Sequence, residues 1–92
     1  MEKLAISLAG HDKDRVYAVV AEQERDVWLA DGKHKTLDAP KKKRRSHVQL
    51  VTHFPDAFAG ELGKAASDSD LVHVLRLYQT MRSQTATEEP EQ

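Results

Sequence analysis

The chain has no cysteine in 92 residues, which removes disulfides, zinc ribbons, iron–sulfur clusters and thiol catalysis together and points to a reducing compartment. It also lacks any long apolar run. No stretch approaches the roughly 20 apolar residues of a membrane span, and Leu4 to Ala9, interrupted by Ser7, is too short and too polar for the apolar region of a secretory signal. A cytoplasmic location is expected. Aromatic residues are scarce, at 5%, which leaves little material for stacking on splayed bases or for lining a peptide groove. No glycine-rich phosphate loop is present. A chain of this length forms one modest core with little spare interior, so neither an enzyme nor a small-molecule substrate or cofactor site is expected.

What is abundant is charge, and it is unevenly placed. The formal net charge is only −1. Yet Lys33 to His47 carries seven basic side chains (Lys33, Lys35, Lys41, Lys42, Lys43, Arg44, Arg45) against Asp38 alone. The rest of the chain carries 7 basic and 14 acidic residues. A near-neutral total therefore conceals a polarised molecule of the kind that electrostatic steering uses.

Leu4, Ile6 and Leu8 alternate with Ala5, Ser7 and Ala9, the period of a half-buried strand that Gly10 ends. After a polar loop, Val16 to Val20 has the β-branched and aromatic content of a second strand, and Gln23 to Arg25 is a turn. Val27 to Ala30 reads as a third strand with Trp28 on one face and Val27 and Leu29 on the other. Asp31-Gly32 then signals a tight hairpin whose two central residues both take positive φ, so Lys33 to Leu37 is expected to return as a fourth strand. Pro40 stops it, Lys41 to Arg45 protrudes as a basic loop, and His47 to Thr52 supplies a fifth strand with Val48 and Leu50 inward. Five short strands on short loops suggest a small closed barrel.

Beyond Phe54-Pro55 the composition turns to alanine, glycine and acidic residues. Asp56 to Lys64 is expected as a short helix weakened by Gly60 and Gly63. Ser67 and Asp70 form a capping box for a second helix, with Ala66 stapled onto Leu71. Leu71, Val74, Leu75, Tyr78 and Met81 make its apolar stripe. Residues 1–54 are thus expected to form the barrel, 55–82 a helical extension packed on it, and 83–92 a disordered acidic tail.

Five cations on a protruding loop make a phosphate clamp, with lysine as point charge and arginine as bidentate fork; the plainer alternative is a solvated surface run. As exposed loop charges they are expected to add little to folding stability. Their companion is the loop Gly10-His11-Asp12-Lys13-Asp14-Arg15. Leu8 to Val20, with Asp31-Gly32 and Pro40-Lys41-Lys42-Lys43, resembles the bacterial KOW-domain RNA-binding family, relatives of large-subunit ribosomal proteins. The resemblance spans about residues 3 to 52, with a looser likeness in the last helix. It implies an SH3-like barrel followed by one short and one longer helix, and a first inter-strand loop that touches RNA. Gly10 matches the family's loop glycine, and Lys13 and Arg15 its basic positions. Asp14 stands where the family usually has glycine, and aspartate can adopt the left-handed backbone that such a glycine provides, at some cost. Asp12 and Asp14 also flank Lys13 and weaken its field.

The remaining candidates have simpler readings. His11, His34, His47, His53 and His73 lack ligand spacing, so no metal is expected. Ser67 to Asp70 is accounted for by capping rather than nucleophilic chemistry. Tyr17 and Trp28 read as core or rim residues before base-stacking ones. The expected partner is ribosomal or other structured RNA, with the ribosome itself included, gripped at its backbone by Lys13, Arg15, Lys35, Lys41, Lys42, Lys43, Arg44 and Arg45, while Gly10, Asp14, Asp31 and Gly32 shape the loops. The rivals are a non-catalytic protein–protein interaction module and a polybasic membrane-surface binder; for the latter there is no basic amphipathic helix.

Overall fold

The computed structural model of the chain describes the backbone of residues 1–88 and the side chains of residues 1–83. Five strands, β1 (Leu4–Ser7), β2 (Val16–Glu22), β3 (Asp26–Ala30), β4 (Lys41–Arg44) and β5 (Val48–Val51), precede two helices, α1 (Asp56–Lys64) and α2 (Asp68–Glu88). All strand pairs are antiparallel, and the sheet runs β4-β3-β2-β1-β5. A single 3-10 turn, Arg45–His47, carries the chain from one edge strand to the other. β4 and β5 form no ladder with each other, so the barrel expected from the strand count is not closed.

Both faces of the sheet carry buried residues, which explains why Val16 to Val19 is apolar throughout rather than alternating. Leu4, Val16, Ala18 and Ala30 face the helices and pack with Phe58 and Leu62 of α1 and Leu71, Val74 and Leu75 of α2. Ala5, Tyr17, Val19, Val27, Leu29 and Val48 form a second cluster on the opposite face, joined by Leu50. Three residues suffice to join the two edge strands, and Lys43 of β4 reaches Ser7 of β1 across two intervening strands, so the sheet is strongly curled about this cluster. Val20 is pushed out to solvent at a bulge between Val19 and Ala21.

The helices follow their local signals. α1 has the expected bounds. At the start of α2 the Ser67 hydroxyl accepts from the Asp70 N–H at 3.1 Å, and the Asp70 carboxylate accepts from the Ser67 and Ala66 N–H groups at 3.2 and 3.0 Å. These donors, the Ala66 N–H foremost, hold the Asp70 carboxyl below its usual range. Ala66 itself is exposed, and the small apolar residue that shares the cluster with Leu71 is Ala65, one position earlier. α2 continues to Glu88, so residues 83–88 of the expected disordered tail are helical and residues 89–92 lie outside the described residues. No residue before Pro90 obstructs propagation of the helix.

The fourth strand departs from expectation. Residues 33–37 form no strand, because the Asp31 carboxylate accepts the N–H groups of Lys33, His34 and Lys35, each at 2.9 Å, and withdraws those donors from any ladder. Burial pushes the Asp31 pKa up, and these donors more than offset it. Of the two turn residues only Gly32 takes positive φ, at 82°. A Cβ there would overlap the carbonyl oxygen of Asp68, and the Leu37 N–H donates to the Asp68 carboxylate at 2.8 Å. The loop is thereby fastened to the start of α2. The strand is instead made by the basic run itself, in register Lys43 opposite Val27 and Lys41 opposite Leu29.

Candidate nucleic-acid interface

Pairing with β3 sorts the basic run by alternation. Lys41 and Lys43 lie opposite Leu29 and Val27, on the inner side of the curl, while Lys42 and Arg44 lie opposite Trp28 and Asp26 on the outer side. The two sets meet different surroundings.

The inner lysines converge on Asp12. This carboxylate, 7% exposed, receives the Lys41 ammonium at 2.6 Å, the Lys43 ammonium at 2.7 Å, the Ser7 hydroxyl at 2.8 Å and the Tyr17 hydroxyl at 3.1 Å. Lys43 also donates to the Ser7 hydroxyl at 2.7 Å and to the Ala9 carbonyl at 2.9 Å. Burial pushes the Asp12 pKa up, but the two lysines and two hydroxyls outweigh it and hold the carboxyl well below the usual range. Burial, then the bond to Asp12, pushes the Tyr17 phenol up to about 12. One carboxylate between two ammonium groups leaves the cluster with a net positive charge.

Asp12 sits in the loop between β1 and β2, whose form comes from Gly10 at φ 87° and Asp14 at φ 74°. Asp14 adopts the left-handed backbone open to it, and its N–H closes the loop onto the Ser7 carbonyl at 2.8 Å. With Asp12 turned inward, Lys13, Asp14 and Arg15 are exposed. Lys13 and Arg15 make no ion pair among the described residues.

On the outer side, Lys42 lies 5.8 Å from the centre of the Trp28 ring and 3.8 Å from the Asp26 carboxylate, with its side chain 62% exposed. Arg44 is exposed and makes no ion pair among the described residues. Arg45, at the start of the 3-10 turn, contacts Glu22 at 3.1 Å and donates to the Gln23 carbonyl at 2.8 Å. Glu22 also takes Lys3 at 2.7 Å, and Lys3, ahead of Arg45, draws its pKa down against a small effect of burial.

The basic run is therefore not a protruding loop of five free cations. Lys41, Lys43 and Arg45 are committed to carboxylates and serve the fold, and Lys42 and Arg44 are the pair that faces solvent. The loop that carries Lys13 and Arg15 is tied to β4 through Asp12. Lys35 is exposed on the separate Asp31 loop, which rests on α2. Asp12 is the organising residue that sequence reasoning missed: a lysine-x-lysine alternation can signal a strand with two inward amines, which then require a buried anion. Tyr17 is buried and out of reach for stacking, and Trp28 is half-covered. Phe54, Phe58 and Tyr78 pack on one another, with ring centres 5.1 to 6.1 Å apart, rather than lining an open groove. Among the described residues no helix is long and apolar enough to cross a membrane, and no group of acidic residues and histidines gathers as a metal site. In comparisons with known proteins the chain matches no family model and no curated protein.

Proposed function

We propose that this is a non-catalytic, cytoplasmic RNA-binding protein of the KOW type that grips the sugar–phosphate backbone of structured RNA, ribosomal RNA foremost. Support for an SH3-like fold comes from the curled antiparallel sheet, its β4-β3-β2-β1-β5 order and the 3-10 turn between the two edge strands. Support for the binding reading rests on one observation above the others. The Asp12 contacts to Lys41 and Lys43 hold loop 10–15 against β4, and this joined loop and strand carry four uncommitted or weakly committed cations, Lys13, Arg15, Lys42 and Arg44. Such charge positions a protein on phosphates without reading bases, and the scarcity of exposed aromatics agrees with recognition by shape and backbone.

Binding should weaken steeply with salt. Replacing Lys13, Lys42 and Arg44 together by alanine is expected to reduce the slope of log affinity against log salt by about 0.7–0.9 for each phosphate that is no longer neutralised, across RNAs of unrelated sequence. Fluorescence anisotropy with labelled RNA hairpins at several salt concentrations measures it. An unchanged affinity and slope would turn the assignment toward a protein-interaction module, which the same fold can also serve.

A further inference from the structure

Beside the outer face of β4 lies an open cleft of about 400 Å³ lined by Glu24, Arg25, Arg44, Arg45 and Ser46. Its walls come from two places distant in sequence, the β2–β3 turn and the end of β4, and they are locked together through the backbone. The Arg45 N–H donates to the Arg25 carbonyl at 2.8 Å, and the Arg45 guanidinium to the Gln23 carbonyl at 2.8 Å, while the Gln23 N–H closes the turn onto the Asp26 carbonyl at 2.8 Å. Arg45 is spent on Glu22 and on this bracing. Arg25 and Arg44 are exposed and without an ion pair among the described residues, although Glu24 lines the same cleft and Asp26 lies opposite Arg44 in the ladder. Asp26 leans instead toward Lys42.

We propose that this cleft seats one ribose-phosphate unit of the bound RNA, with Arg25 and Arg44 on the phosphate and the Glu24 carboxylate accepting a hydrogen bond from the ribose 2′-hydroxyl. Two arginines without an ion pair lining one cavity suit a phosphodiester, whose oxygens accept paired N–H bonds from a guanidinium. A carboxylate beside them is unfavourable for a bare polyanion, since it repels the phosphate. It becomes favourable where the ligand also offers a hydroxyl donor, and the 2′-hydroxyl is the group by which a protein tells RNA from DNA. Arg25 and Glu24 belong to neither the basic run nor the 10–15 loop, so the site adds a phosphate grip and a discrimination to the RNA-binding reading on which it rests.

The test compares an RNA hairpin with the DNA hairpin of the same sequence, by anisotropy at several salt concentrations, for the full chain and the variants Arg25→Ala and Glu24→Ala, each with its thermal melt to verify folding. Arg25→Ala is expected to weaken RNA binding several-fold and to flatten the salt slope by the share of one phosphate. Glu24→Ala is expected to lower the RNA-over-DNA preference by about tenfold, through weaker RNA binding and tighter DNA binding. RNA binding by the unaltered chain that neither variant changes would overturn this site and leave the general reading standing. No RNA binding by the unaltered chain would overturn the general reading itself.

Discussion

The two sides of β4 carry the same kinds of residue and do opposite things. Lys41 and Lys43 turn inward and spend their charge on Asp12; Lys42 and Arg44, one position along, turn outward and keep most of theirs. The Lys43 side chain is 10% exposed and that of Lys42 is 62%. A count of cations along a chain is thus not a count of charge available to a ligand. What separates the two is the strand period of two, set by pairing with β3, together with one buried acceptor on one side only.

Removing that acceptor should disturb the inner side most. Asp12→Ala leaves Lys43 and Lys41 facing a buried site without an anion, and two hydroxyls without their common partner. A loss of about 3 kcal/mol is expected in chemical denaturation. Stability unchanged by this substitution would mean that the inner lysines are as free as the outer ones.

A smaller effect is expected from pH. The Asp12 pKa is depressed in the folded protein, so its contribution is present above about pH 4 and is lost as pH falls through the folded value. Tyr17 is raised to about 12 from 10.0, so its contribution is complete below pH 10 and is lost as pH climbs toward 12. The alkaline arm should amount to about 2 kcal/mol and be absent from Tyr17→Phe, as followed by circular dichroism melts across pH.

The smallest effect belongs to the outer side. Lys42→Ala with Arg44→Ala is expected to change stability by no more than about 0.5 kcal/mol, since exposed cations with long or absent partners add little to folding. A decrease comparable to that from Asp12→Ala would erase the distinction between the two sides.

Much of the architecture was legible because its determinants are local. The bounds of α1, the Ser67–Asp70 cap, the apolar stripe of α2 and the positions of β1 to β3 and of β5 all follow from signals spanning a few residues. The fourth strand was not legible, and the reason lies in particular side chains. Asp31-Gly32 has the composition of a two-residue hairpin, but the Asp31 carboxylate gathers three successive N–H groups and Gly32 lies against the backbone of α2. Lys41 to Arg44 has no apolar alternation to mark it as a strand, because its inward residues end in ammonium groups. Of the candidate site, the place of Lys13 and Arg15 on a loop between two strands was readable. Which cations are free was not, nor was the part played by Arg25 and Glu24.

Local sequence alone set the first helix, the start and apolar stripe of the second, four of the five strands and the polarised charge, since each rests on residues near one another in the chain. That the basic run is a strand, and that three of its five cations are committed to carboxylates, was settled by the folded arrangement. The deciding bonds join Asp12 to Lys41 and Lys43 across 29 and 31 positions. A bond that exists only after the sheet has curled leaves no periodicity for a linear reading to find.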